Sequence, residues 1–450
     1  MRKFTKLTTT LLAACASLLL CTADVNAASG WVLNNGSWYY YGITTGIMQT
    51  GNLTDNGHLY YLRSDGRMAT GTVRHPEGTY TYDASGALNV PSKGWYKVNG
   101  YYYYFINSNT VFTNGITPDG YYVNEYGQWL EGALKKGIDV SRYQETINWP
   151  AVAKDGISFA MIRIGSVKYG VDAQFSANMR GANNAGLRVG AYVYSYATTV
   201  EQAIEEANFA IRNLQNYTVS FPVAIDIEST AQKAQSPAQL AAVANAFCST
   251  IKAAGYHPIV YSSKSWFTER IDTSAINYDL WVAQYNSFCT YPKYDMWQAS
   301  SKGKVNGIIG NVDINYLYKD YFSLIAQTGW VSDNGSYYYY KNHQALTGLQ
   351  NIDGTTYYFD GNGRMFTGWA FLNNKWHYFN KDGAMATGWL KLKDKWYYLE
   401  PTTGVMAEGW LQLGDVWHYL TPGSGEMLSN CVKIIDGLPY RFSNDGVWLP

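Results

Sequence analysis

Cysteine is scarce in this 450-residue chain, with five in all, and two of them, Cys15 and Cys21, lie in an N-terminal leader. The remaining Cys248, Cys289 and Cys431 are too few for a disulfide scaffold. Cys248 shares a helical stripe with Leu240, Val243, Ala244, Phe247 and Ile251 and reads as a small buried hydrophobe, with a bridge to Cys289 left open. Net charge is missing as well: 34 basic residues balance 34 acidic ones, and only 15% of the chain is charged. That balance removes the electrostatic case for nucleic acid. Beyond the leader no apolar run approaches the about 20 residues of a membrane helix.

Aromatic side chains and glycine are what the chain has instead, 41 Tyr, 16 Trp, 16 Phe and 43 Gly. The mixture suits turn-rich β repeats, and the length suggests several domains. At the start, Arg2, Lys3 and Lys6 precede an apolar run from Leu11 to Leu20 and a small-residue site, Val25-Asn26-Ala27. Residues 1–27 therefore read as a secretory signal peptide. Leu12-Ala13-Ala14-Cys15 offers a rival lipoprotein-type cut, which would leave Leu18 to Leu20 on the mature side. Without the leader, 31 basic residues face 33 acidic ones.

From residue 328 to 450 a unit of the form "TGW…W-x-Y…G-x-M" recurs, starting at Trp330, Trp369, Trp389 and Trp410, with degenerate starts at Leu349 and Cys431. Each unit is expected to be one short hairpin. A hairpin cannot bury its own face, so neighbours should stack into a solenoid. Residues 28–132 carry an eroded version in which Asn52, Thr72 and Ile116 stand where the "GW" tryptophan belongs.

Between the arrays, residues 136–325 alternate strands and helices, which implies a parallel α/β sheet or barrel. This segment holds one histidine, His257, and two cysteines on separate elements. Zinc amidase, Cys-His and Ser-His-Asp chemistries are therefore hard to assemble, and His257 reads as a satisfied turn residue. Carboxylates remain. In "FPVAIDIES", Asp226 and Glu228 fall two apart at a strand end and should face one way, which suits division of acid and base work but also suits a helix cap or an arginine partner. Asp139 in "KKGIDVSRYQ" and Asp313 in "GNVDINYLY" would join them at the C-terminal mouth of a barrel. Tyr143, Tyr194, Tyr196, Tyr261, Trp281 and Trp297 are the candidates for stacking on sugar rings.

The motifs "KGIDVSRYQETINWPAVAKDGISFAMIRIG", "GAYVYSYATTVEQAIEEANFAI", "FPVAIDIE", "PIVYSS", "LWVAQY" and "MWQASSKGKVNGIIGNVDINYLY" resemble, in order, glycoside hydrolase family 25, the Chalaropsis-type lysozymes. The resemblance implies an irregular, TIM-like β/α barrel that needs no metal or other cofactor. It also implies hydrolysis of the β-1,4 bond between N-acetylmuramic acid and N-acetylglucosamine. On it, Glu228 is the general acid, Asp226 stabilises charge or orients the substrate N-acetyl group, and Asp139 and Asp313 line the groove. The close D-x-E pair suggests substrate assistance.

The arrays resemble choline-binding, or cell-wall-binding, repeats, whose aromatic boxes hold a quaternary ammonium by cation–π attraction. The residues carried over are Trp369, Trp376 and Tyr378 with Trp389; Trp389, Trp396 and Tyr398 with Trp410; and Trp410, Trp417 and Tyr419. The N-terminal array is expected to lack complete boxes, and a glucan stays open as ligand. The whole then reads as a secreted, wall-associated muramidase that binds peptidoglycan strands and choline-bearing teichoic acid. The other reading is a wall- or glucan-binding surface protein with an inactive barrel.

Overall fold

The computed structural model describes residues 29–333 and 335–450, so the leader, residues 1–27, lies outside the described residues. Two compact units form. One runs to Thr117 and resumes at Val123–Trp129; the other comprises Pro118–Tyr122 and Leu130–Pro450.

The second unit contains a closed barrel of eight strands: β1 Lys135–Val140, β2 Phe159–Ser166, β3 Arg188–Tyr194, β4 Val223–Asp226, β5 Pro258–Ser263, β6 Asp279–Ala283, β7 Met296–Gly303 and β8 Val312–Leu317. Neighbours from β1 to β7 run parallel, whereas β8 is antiparallel to both β7 and β1, and the ring closes because β1 pairs with β2 and β8. Helices α1 Trp149–Lys154, α2 Phe175–Asn184, α3 Val200–Leu214, α4 Pro237–Ala253 and α5 Lys264–Glu269 follow β1 to β5 in turn. Local sequence sets their starts. Thr199 caps α3 by accepting from the Gln202 N–H, and Ser236 caps α4 ahead of Pro237, whose missing N–H costs nothing in a first turn.

Alternation along each strand decides what faces inward. On β2, Phe159 and Met161 enter the barrel while Ala160, Ile162 and Ile164 pack outward. Ala224, Ile259, Met296 and Leu317 complete an apolar floor. Nearer the mouth, groove-lining positions turn polar: Asp139, Arg163, Tyr194, Asp226, Gln298 and Asp313. Asp313 reaches that end from the start of β8 because β8 runs backwards, in register opposite Asp139. Gly137 is needed on β1, since a Cβ there would lie 2.4 Å from the Phe159 ring. His257 is remote from the mouth and bonds Asp279 at 2.9 Å. Cys248, Cys289 and Cys431 are all free thiols.

The repeats are hairpins. Six follow the barrel, with first strands at Thr328–Asp333, Gly348–Ile352, Gly368–Leu372, Gly388–Leu392, Gly409–Leu413 and Cys431–Ile435. Four comparable hairpins open the first unit, beginning with Gly30–Asn34. Their tight turns use pairs such as Asp353-Gly354 and Asn373-Asn374, in which both residues have positive φ, as a type I′ turn demands. Stacking is built into the "G-x-M" step. The Met385 N–H donates to the Thr356 carbonyl of the preceding hairpin at 2.8 Å, while a Cβ on Gly404 of the following turn would meet Met385 Sδ at 2.5 Å.

Candidate functional site

Inward-facing side chains at the ends of the barrel strands enclose a groove of about 440 Å³. Asp139, Asp226, Glu228 and Asp313 all line it, with Tyr143, Tyr194, Tyr196, Tyr261 and Trp281. Asp139 is 5% exposed and Asp226 4% exposed. Asp139 Oδ2 accepts from Gln298 Nε2 at 2.7 Å and Asn315 Nδ2 at 2.8 Å. Those amides are held in turn: Gln298 Oε1 accepts from the Tyr261 and Tyr285 hydroxyls at 2.9 and 3.0 Å, and Asn315 Oδ1 accepts from Trp281 Nε1 at 2.8 Å.

Electrostatics separates the four acids. Burial raises the Asp139 carboxyl, but the bonds from Asn315 and Gln298 oppose the rise. Asp313 is raised by burial and by the charge of Asp139, to which it also hydrogen-bonds, so Asp313 holds the proton of that pair. Asp226 is pushed well above the carboxylate range by burial and then by Glu228, against the pull of Arg163. Burial, followed by Asp139, raises Glu228 too, again opposed by Arg163. Four acids in one partly desolvated mouth cannot all ionise, so protonated and charged carboxyls stand side by side near neutral pH. Asp226 Oδ1 and Arg163 Nε are buried with no hydrogen-bond partner among the described residues.

A clamp behind the acids fixes the loops around them. Ser195 Oγ and the Tyr196 N–H donate to buried Glu206 at 2.6 and 2.8 Å. Gln232 Nε2 donates to Ser195 Oγ at 3.1 Å and to the Ala197 carbonyl at 3.0 Å, tying the turn after Glu228 to the loop that carries Tyr196.

Three of the six expected sugar platforms, Trp297, Trp281 and Tyr261, are corrected. Trp297 is 0% exposed and outside the groove; it lies one step from inward-facing Gln298, so it points outward, with its Nε1–H donating to the Gln284 carbonyl at 2.8 Å. Trp281 lines the groove but is 1% exposed, which makes it floor. Tyr261 is nearly as buried. Tyr143, at 70% exposure, and half-buried Tyr194 and Tyr196 offer faces to a ligand. Sequence reasoning missed Arg163, Gln298, Asn315, Tyr285 and the Glu206 clamp. Arg163 had a visible signal, a lone cation in the inward phase of "FAMIRIG".

In the C-terminal array, Trp330, Tyr337, Tyr357 and Met365, with Lys381 and Asp382, line a cavity of about 360 Å³. Trp330 and Tyr337 belong to one hairpin, Tyr357 to the next, and the Met365 N–H donates to the Tyr337 carbonyl. Equivalent positions are Trp369, Trp376, Tyr397 and Met406, then Trp389, Trp396, His418 and Met427, then Trp410, Trp417 and Tyr440 with Trp448.

This changes the expected boxes. The ring that meets Trp369 from the next hairpin is Tyr397, at 5.1 Å, in place of Trp389. Tyr378, Tyr398 and Tyr419 each lie directly across their own hairpin from Trp369, Trp389 and Trp410 and back those rings at 5.1 to 5.2 Å. Pairing on the strand, two residues beyond the exposed tryptophan, places them there. Leu349 and Thr356 leave the second unit without its rings. The first unit also departs from expectation. Trp31 meets Tyr60 of the next hairpin at 4.8 Å, and the Met68 N–H donates to the Trp38 carbonyl at 2.8 Å. Trp31, Trp38, Tyr60 and Met68 thus repeat the C-terminal arrangement, although Asn52 and Thr72 break it in the units that follow.

Known proteins match both parts. The glycosyl hydrolases family 25 model matches residues 138–308, and the choline-binding repeat model matches residues 346–372 and 366–409. The putative cell wall binding repeat matches residues 53–68 and 328–342. Lysozyme M1 of Streptomyces globisporus is 32% identical over 197 residues, 40% of this chain and 66% of that protein. The uncharacterized protein YegX of Escherichia coli (strain K12) is 32% identical over 190 residues, 40% of this chain and 68% of its own length. The multimodular pneumococcal cell wall endolysin from phage Cp-1, solved with choline, is 24% identical across 70% of this chain and 94% of its own, at a TM-score of 0.35. This chain belongs to glycosyl hydrolase family 25, and it carries choline-binding repeats in addition to the hydrolase domain.

Proposed function

We propose that the protein is a peptidoglycan hydrolase, a muramidase that cleaves the β-1,4 bond between N-acetylmuramic acid and N-acetylglucosamine. The observation that carries this is the mouth itself, where buried Asp226 presents an unpartnered oxygen beside Glu228, and both acids are raised by burial and by neighbouring charge. Burial and the charge of Asp139 favour the protonated form of Glu228, the form that can give its proton to the leaving glycosidic oxygen. Arg163 opposes the rise that burial and neighbouring charge give both acids. Asp226 then orients the acetamido group, whose oxygen stands in for an enzyme nucleophile as positive charge develops at the anomeric carbon. Asp139, fixed by Gln298 and Asn315, and protonated Asp313 shape the floor and hold the acid pair's environment.

On this reading the barrel and its flanks, residues 136–325, form an irregular TIM-like β/α catalytic domain between repeat arrays 28–132 and 328–450. The boxes around Trp31, Trp330, Trp369, Trp389 and Trp410 bind choline on wall teichoic acid, and a secreted mature chain stays associated with the wall. Glu228→Gln tests the assignment, because it keeps shape and hydrogen bonding but cannot deliver a proton. Turbidity loss on purified wall should slow by about 10²- to 10⁴-fold while sedimentation with the wall is unchanged. A variant keeping more than about a tenth of the rate, a slowing that falls short of that range, would rule Glu228 out as the acid.

A further inference from the structure

Beside the groove, next to its lining residues Tyr143 and Tyr196, stand two cations that the acid chemistry does not use, Arg142 and Lys168, each stacked on a tyrosine. The Arg142 guanidinium lies 5.2 Å from the Tyr143 ring, and the Lys168 ammonium lies 5.1 Å from Tyr169 and 4.8 Å from Tyr196. Deeper in, Arg163 lies 5.4 Å from Tyr194. The segments are joined. The Arg142 N–H donates to Asp172 Oδ2 at 3.2 Å, tying the turn that bears Tyr143 to the strand pair whose tip is Lys168-Tyr169. Tyr169 meets Tyr196 edge-on at 5.6 Å, and Tyr196 meets Tyr194 at 5.2 Å.

The ribbon is open to solvent, with Tyr143 and Tyr169 70% and 71% exposed. Among the described residues, neither Arg142 nor Lys168 lies within ion-pair distance of a carboxylate. Asp172, whose charge acts on Arg142, already accepts from two backbone N–H groups, those of Arg142 and Gln174.

Exposed rings interleaved with unpaired cations suit a ligand with both apolar faces and negative charge. A peptidoglycan strand is neutral along its sugars, because the lactyl carboxyl of muramic acid is consumed in the amide to the stem peptide. Its negative charge is then carried by the carboxylates of those peptides. We propose that Lys168 and Arg142 form a subsite for stem-peptide carboxylates, with Tyr143, Tyr169 and Tyr196 as the surface along which the peptide-bearing muramic acid lies. The subsite rests on the muramidase reading, and it makes the enzyme selective for peptide-substituted glycan.

The test uses the full chain and two teichoic-acid-free peptidoglycans. One is native; in the other the stem carboxyls are converted to neutral amides by carbodiimide coupling with ammonia. Rates come from newly formed reducing ends. For the wild type, amidation should raise KM by up to about fivefold and leave kcat alone, the scale of one or two solvent-exposed ion pairs. Lys168→Gln should raise KM on native substrate about twofold, on the same scale, and Arg142→Gln with Lys168→Gln together should respond to amidation hardly at all. A wild-type KM indifferent to amidation, or a double variant that responds as fully as the wild type, would overturn the subsite. Absence of new muramic reducing ends from both substrates would overturn the muramidase reading and the subsite with it.

Discussion

Asp313 shows how one half-buried carboxyl links reaction to stability. Its folded pKa lies above the unfolded value, so the folded chain binds more protons than the unfolded one, and stability is lost as pH rises through that interval. A carboxamide at this position cannot ionise. Asp313→Asn should therefore stabilise the protein by roughly 1–3 kcal/mol at neutral to mildly alkaline pH and by almost nothing near pH 3, where both states are protonated. Thermal melts across pH check this; an equal shift at every pH, or a fall, would contradict it. Activity should drop in the same variant, the usual exchange at a strained site. The acids were legible in the sequence because Asp139, Asp226 and Asp313 interrupt apolar strands. Gln298 and Asn315 were not, since an uncharged amide between aromatics gives no sign of its partner. Trp297 was misjudged because composition marks a strand end as aromatic while only phase tells which ring faces in.

Hairpins and barrel strands are each held by a repeated device whose failure is measurable. At the barrel floor, Asp279 on β6 accepts from Lys319 Nζ at 2.8 Å, His257 Nε2 at 2.9 Å and the Tyr321 hydroxyl at 2.9 Å. Burial, which alone would raise this carboxyl, is outweighed by His257 and Lys319, so its pKa lies below the ordinary range. Asp279→Asn removes the charge that Lys319 faces and that His257 and Tyr321 bond, and should cost about 3 kcal/mol in chemical denaturation. A loss under about 0.5 kcal/mol, the scale of an exposed pair, would mean the network is solvated. In the arrays, box number is the prediction. Trp31→Ala and Trp330→Ala should each remove one choline from the saturating stoichiometry in equilibrium dialysis, because each strips a face worth about 0.5–2 kcal/mol. Leu349→Ala, at a position where the unit lacks the box tryptophan, should remove none. Unchanged stoichiometry in both tryptophan variants would make these rings solenoid core. The hairpins and their period were readable from glycine and tryptophan spacing. The cross-hairpin partner was not, because it depends on how units stack, and "W-x-Y" alone does not say which ring leans on the next unit.

Across the whole molecule, the proposed function has repeats before and after the hydrolase domain tying catalysis to a wall that carries the repeat ligand. Bound boxes raise the local concentration of glycan at the groove, so free choline should slow attack on choline-bearing wall much more than on soluble glycan fragments. That hairpin repeats accompany a barrel was evident from the two periods in the sequence, and the closure of eight strands with one reversed was not, since strand polarity leaves no mark in composition. The central claim is the bond that is cut. Purified wall digested with the full chain, reduced with borohydride and hydrolysed, should yield muramicitol as the new reduced end and no new amino groups. Glucosaminitol as the new reduced end, or free amino termini without new reducing ends, would contradict a muramidase.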